Sequence, residues 1–239
     1  MPKLGTRKLY VLLKEKLKAE GLKLGRDKLF SILRDHDMLQ EKKRRYVKTT
    51  NSKHWLRKYP NLVKDLVVSR AEQVWVSDIT YIQTEQGFCY LTMLTDAYSR
   101  KIMGSYLSES LSYEGCLKAL EEALRNRVST NSLIHHSDRG LQYCSKEYTG
   151  LLEVNKIRIS ITEKSDPYEN ALAERMNRTI KEEFISNSNL LDLEIARMVT
   201  KESVSIYNNE RPHMSCQMRT PEEVHKKSVN PIRATPSWG

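Results

Sequence analysis

Val74-Trp75-Val76-Ser77-Asp78-Ile79-Thr80-Tyr81-Ile82 is the stretch on which the fold turns. It is rich in β-branched and aromatic residues and reads as one strand of a sheet. Period-two alternation puts Val74, Val76, Asp78 and Thr80 on one face, so a carboxylate stands among side chains meant for packing. An ionised Asp in that position is costly unless a cation or hydrogen bonds hold it. Downstream, Gly87 marks a turn, Phe88 to Thr95 an antiparallel partner, and Ile102 to Leu107 a third strand. Leu117, Leu120 and Leu124 fall at helical spacing within Ser112 to Arg127, and Leu133 to His136 is a short apolar strand. A helix from Ser145 to Asn155, a strand from Ile157 to Thr162 and a polar loop through Pro167 follow. Helices from Ala171 to Phe184 and from about Asp192 to Tyr207 complete the pattern. Three consecutive strands and then alternating helices and strands predict an α/β domain with a mixed sheet.

Ahead of this domain the chain is helical and basic. Leu9, Leu12, Leu13 and Leu17 mark one helix that Gly21 stops, and Leu29, Ile32 and Leu33 mark a second that starts near Gly25. Two short helices joined by a turn are the minimal helix-turn-helix, and the second presents Arg26, Lys28 and Arg34 for a duplex. The run Lys42-Lys43-Arg44-Arg45 follows, with Tyr46, His54 and Trp55 among further basic residues, and suits contact with phosphates. The net charge of +10 is unevenly spread. Residues 1–70 hold about 20 Lys and Arg against about 7 acids, and the remainder about 20 against about 23. That is the signature of a basic nucleic-acid-binding front joined to a near-neutral body.

The 239 residues allow one well-packed domain and a smaller one, and 39% hydrophobic with 29% charged residues describes an ordinary globular chain. Apolar runs such as Leu62 to Val68 are broken well short of the roughly 20 residues that a bilayer span needs. There is no apolar signal core, and the expectation is a cytoplasmic, DNA-associated protein without membrane contact. Cys89, Cys116, Cys144 and Cys216 lie far apart and make no zinc pattern with the six His. They read as reduced, buried thiols.

Two further carboxylates stand out. Asp138 lies just past a strand end in His135-His136-Ser137-Asp138-Arg139-Gly140, where open α/β sheets place ligands. Glu174 sits on the helix beginning near Asn170, with Arg178 one turn on and Lys181 two turns on. Asn170 is placed to cap that helix. The strand from Trp75 to Thr80, the turn His136 to Gly140, Asn170-Ala171-Leu172-Ala173-Glu174, Lys181, the segment Tyr207-Asn208-Asn209-Glu210-Arg211-Pro212-His213 and Thr220-Pro221 together resemble a known family. It is the DDE transposase and retroviral integrase superfamily, most closely the OrfB integrase-core transposases of bacterial insertion sequences, the IS-three group.

The resemblance implies a ribonuclease-H-like integrase catalytic core preceded by a small helix-turn-helix domain. Residues 1–58 would be the DNA-binding domain with its basic linker, 59–72 a connecting segment and 73–232 the core. It further implies that Asp78, Asp138 and Glu174 ligate two Mg²⁺ ions, with Mn²⁺ as a substitute, for DNA strand cleavage and strand transfer. Hard divalent cations take oxygen ligands, which suits three carboxylates. Lys181, Arg178 and Arg139 would meet DNA near that site. The expected partners are double-stranded DNA, as terminal inverted repeats and target, further copies of the chain, and an upstream helix-turn-helix product fused or associated. The alternatives are a non-catalytic DNA-binding regulator derived from a transposase and a ribonuclease-H-like nuclease that cuts without joining.

Residues 1–58 expressed alone are expected to bind duplex DNA with an affinity that falls at least about tenfold between about 50 and about 200 mM salt. Titrations of labelled duplex at several salt concentrations check this; a flat response removes the assignment.

Overall fold

The structure, a computed structural model, describes residues 4–39, 59–163, 170–186 and 188–229. The basic run Lys42, Lys43, Arg44 and Arg45 lies outside the described residues, as does the greater part of the loop ahead of Asn170. Two N-terminal helices, α1 (Thr6–Ala19) and α2 (Arg26–Asp35), form where the leucine spacing predicts them. Leu29 and Leu33 of α2 are buried, while Arg26, Lys28 and Arg34 stand exposed.

The body is built on a five-stranded sheet of β1 (Val74–Thr84), β2 (Gly87–Asp96), β3 (Ile102–Ser108), β4 (Ile134–Ser137) and β5 (Arg158–Ile161). The spatial order is β3-β2-β1-β4-β5. β1, β2 and β3 make an antiparallel meander, whereas β4 and β5 run parallel to β1, so the sheet is mixed as the element order predicts. Parallel neighbours need crossovers. These are supplied by α3 (Tyr113–Arg125) before β4 and by α4 (Lys146–Val154) before β5. α5 (Ala171–Ile180), α6 (Leu193–Asn209) and α7 (Pro221–Val229) follow.

Strand alternation divides the core between the two faces of the sheet. One face packs Trp75, Leu94, Leu120, Tyr148 and Leu152 with α3 and α4. The other packs Ile82, Met93, Met176, Ile180, Phe184 and Tyr207 with α5 and α6. Asp78, in phase with Val76 and Ile82, belongs to this second face. The segment before β1 lies against the sheet: Leu62, Val63, Leu66 and Val68 pack around Val74, Val76 and Ile134.

Buried Glu72 ties α7 to the sheet. Its carboxylate accepts from the N–H groups of Val128 (2.9 Å) and Ser129 (2.6 Å) and lies 3.3 Å from His225 Nε2. Burial works against its charge, but the hydrogen bonds from His225, Val128 and Ser129 hold its pKa below the usual carboxylate value.

Two readings of the sequence need correction. The helix predicted from Ala171 to Phe184 is α-helical only to Ile180, and Lys181–Ile185 form a π-helical turn in which Ser186 N–H donates to the Lys181 carbonyl at 2.9 Å. The wider turn lets the adjacent residues Phe184 and Ile185 both be buried. In addition, α7 forms after Thr220, where no helix is predicted; its first residue is Pro221, whose fixed φ suits a helix start.

Close packing of β3 on α3 depends on Gly104. A Cβ there would lie 2.6 Å from Ala123 N and closer still to the Ala119 carbonyl, both rigid backbone. Gly104→Ala is therefore expected to destabilise the fold by about 1–3 kcal/mol or more. Gly150, inside α4, has nothing within 4 Å of such a Cβ. Gly150→Ala should stabilise by about 0.5–1 kcal/mol. Denaturant melts of the two variants check the opposite signs.

Candidate active site

Asp78 and Asp138 meet because of strand register. β1 and β4 pair in parallel with Val74 opposite Ile134 and Ser77 opposite Ser137, the last pair of the ladder. The next residue on each chain is an aspartate, so the two carboxylates leave neighbouring strands, about 4.8 Å apart in a sheet, at the same level. β1 continues to Thr84, while the chain after β4 turns away through Asp138-Arg139-Gly140. Gly140 N–H donates to Asp138 Oδ1 at 3.1 Å and holds that turn.

α5 crosses the second face of the sheet and brings Glu174 over the same end. Two asparagines fasten it to β1. Asn170 Nδ2 donates to the Ser77 carbonyl at 3.1 Å, and Asn177 Nδ2 donates to Asp78 Oδ2 at 2.9 Å. Asn170 occupies the N-cap position, yet its side chain makes no cap hydrogen bond, contrary to the capping role read from the sequence. The strand carbonyl is its partner instead. Asn177 was missed, because a buried polar residue on a helix shows its partner only once the helix is docked. Its position one turn after Glu174, on the buried face with Ala173, Met176 and Ile180, was the available signal.

The electrostatics of Asp78 reflect this crowding. Burial first, and then the charge of Asp138, push its pKa up to about 7; Glu174 adds to the rise, while Asn177 and the Ile79 N–H oppose it. Two other carboxylates thus act on Asp78. Glu174 itself is exposed on α5, and among the described residues no three His, Cys, Asp or Glu side chains are drawn closely enough to hold a metal ion.

The remaining predicted residues separate. Arg178 is exposed on the face of α5 that carries Glu174, and Arg139 is half-buried beside Asp138. Lys181 lies further along β1 than the carboxylates: its Nζ donates to the Tyr81 carbonyl at 2.7 Å and stands 4.0 Å from the centre of the Tyr81 ring. β4 has ended by this point, so the carbonyl belongs to an open edge of β1. Arg26, Lys28 and Arg34 are on α2, in the other part of the chain. His136 points into the protein, with Nδ1 2.8 Å from Ser160 Oγ. His135 bonds the Tyr148 hydroxyl at 2.8 Å; burial, then the neighbouring His136, lower its pKa to about 3.

Comparison with known proteins agrees with this architecture. An integrase core domain family model matches residues 68–167, and a second integrase core domain model matches residues 155–221. The uncharacterized 31 kDa protein of insertion element IS600 from Shigella sonnei is 36% identical over 211 residues, covering 87% of this chain and 76% of that protein. Transposase InsF for insertion sequence IS3A of Escherichia coli (strain K12) is 30% identical over 219 residues, covering 91% and 76%. Among solved structures, the HTLV-2 integrase catalytic core domain in complex with magnesium aligns with a TM-score of 0.52 at 16% identity, over 64% of this chain and 96% of that one. The simian T-cell lymphotropic virus intasome gives 0.58 at 17% identity, over 97% and 77%. At these identities the structures show a shared fold.

The raised pKa of Asp78 fixes the sign of a pH effect. A carboxyl at about 7 in the folded chain, against 3.8 ordinarily, binds its proton more tightly when folded. The stability this gives is fully present below the ordinary value and is lost as pH rises through about 7. In chelating buffer, the melting temperature of the wild type relative to Asp78→Asn should fall between pH about 4 and about 8. A difference that stays flat or rises with pH would overturn this account of Asp78.

Proposed function

Because the chain belongs to the IS3-type integrase-core transposases, polynucleotidyl transferases that act in DNA transposition, we propose that Asp78, Asp138 and Glu174 are its catalytic carboxylates. The observation that carries this reading is the strand register that sets Asp78 beside Asp138, together with the bond from Asn177, on the helix of Glu174, to Asp78. Carboxylates gathered where the β1–β4 ladder ends would hold a cation.

The donors fit a hard divalent ion. All three are carboxylates, and the nearest histidines, His135 and His136, are engaged with Tyr148 and Ser160. Asp78, Asp138 and Glu174 would together hold two Mg²⁺ ions, for which Mn²⁺ would substitute. Bound ions would stabilise the charge that develops on the attacking and leaving oxygens of a phosphodiester.

The chain's own residues supply placement. Asn177 fixes one oxygen of Asp78. Asn170 and Asn177 hold α5 on β1 and so set where Glu174 can reach. Arg178, Lys181 and Arg139 contact DNA phosphates around the carboxylates. Arg26, Lys28 and Arg34, with the sequence run Lys42 to Arg45, engage the duplex. On this reading residues 1–58 bind the terminal inverted repeats, 59–72 connect and 73–232 carry out cleavage and strand transfer. Several copies would bridge two ends, with or without an upstream helix-turn-helix product.

Asp78→Asn, Asp138→Asn and Glu174→Gln are each expected to reduce cleavage and joining by at least about 100-fold, because a neutral amide keeps the shape and loses the charge that holds a metal ion. Binding of end DNA should change little. The assay is Mg²⁺-dependent processing of labelled DNA carrying the inverted repeats that flank the gene. Joined, merely cut and merely bound products separate a transposase from a nuclease and from a regulator, and normal cleavage by any variant removes that residue from the site.

A further inference from the structure

Glu183 draws cations from two distant parts of the chain. It sits in the π-helical turn that extends α5 beyond Glu174. Arg211, just past α6, donates to both carboxylate oxygens through Nε–H and Nη2–H at 2.7 Å each. Its guanidinium is 3% exposed and lies 5.3 Å from the centre of the Tyr207 ring. A planar two-point pair of this kind is among the stronger charge-assisted contacts.

The other cation comes from α1. Lys8 Nζ lies 3.4 Å from Glu183 Oε1, with its side chain 15% exposed. Lys14, Lys16 and Lys18, further along the same helix, are exposed. Lys8 is therefore turned toward the body while its neighbours face solvent. Arg211 and Lys8 share one carboxylate and repel each other across it. Loss of Lys8 leaves the Arg211 pair in place but cuts the tie to α1.

From this geometry we propose that Glu183 is a positioning junction: through Lys8 it registers the N-terminal helix pair on the helix that carries Glu174, so that DNA seated on the one sets the position of the other. The idea rests on the transposase reading and deepens it by naming the contact that links binding to chemistry. Glu183 and Lys8 touch no reacting atom; they act through α5.

The test uses the full chain, with Lys8→Ala, Lys8→Arg, Glu183→Gln and the double variant Lys8→Ala/Glu183→Gln. Two properties are read: joining at saturating end DNA with Mg²⁺, and amide hydrogen exchange of residues 171–185 with and without that DNA. Lys8→Ala is expected to bind DNA within about twofold of wild type, to join about tenfold more slowly and to lose the DNA-induced protection, and adding it to Glu183→Gln should cost nothing further. Lys8→Arg should restore both properties. If Glu183→Gln fails to fold because Arg211 is left buried beside a neutral group, Lys8→Ala on the helix surface still decides. Wild-type joining and protection in Lys8→Ala overturns the junction. So does a loss confined to binding with a shallower salt dependence, which makes Lys8 a phosphate contact. A wild-type chain that joins nothing, yet shows protection that Lys8→Ala abolishes, upholds the junction and sinks the active-site reading instead.

Discussion

Two like charges at the end of a parallel pair of strands organise this molecule. The register that sets Ser77 beside Ser137 leaves Asp78 and Asp138 side by side, and no rotation of either strand can separate them without breaking the ladder. Much of what surrounds them offsets that repulsion. Asn177 gives a hydrogen bond to Asp78, and Gly140 gives one to Asp138. Burial first, and then the charge of Asp138, still raise the pKa of Asp78 far above the ordinary carboxylate value.

The parts of this arrangement that local sequence dictates were legible. Alternation through Val74 to Ile82 gives the strand and the face of Asp78, and the short apolar run before Ser137 gives the neighbouring strand end. The helix pair at the start of the chain follows from leucine spacing alone. What periodicity does not carry is how one element docks on another. Asn170 looks like a cap in sequence because capping is the local option for an asparagine at a helix start; the Ser77 carbonyl became available only through tertiary packing. Lys181 lies at the right angular position for the carboxylates on an ideal helix, but the open edge of β1 offers a carbonyl and a ring at Tyr81 that compete for its ammonium. The partner of Asn177 is hidden for the same reason, although one polar residue on an otherwise apolar stripe signals that it has one.

Charge asymmetry along the chain also takes a structural form. The basic front keeps Arg26, Lys28 and Arg34 in solvent, while two cations of the body, Lys101 and Arg211, are turned inward into ion pairs. Lys101 pairs with Glu222 at 2.6 Å and Arg211 with Glu183, each across elements that hydrophobic contact alone would leave free to slide. Buried pairs of this kind are costly to assemble and costly to break, so they favour one arrangement over its near neighbours more than they add to stability.

The π-helical turn at Lys181–Ile185 gives α5 a geometry that depends on counting residues. Relative to a continuous α-helix it accommodates one extra residue, and each residue of an α-helix advances the side chains by about 100°. Upstream of the turn, Ala173, Met176, Asn177 and Ile180 set one phase; downstream, Phe184 and Ile185 follow another. A codon lost there would remove the residue that the wider turn absorbs, and Phe184 and Ile185 would no longer both face the core. Packing thus constrains the length of this helix as well as the residues that it carries.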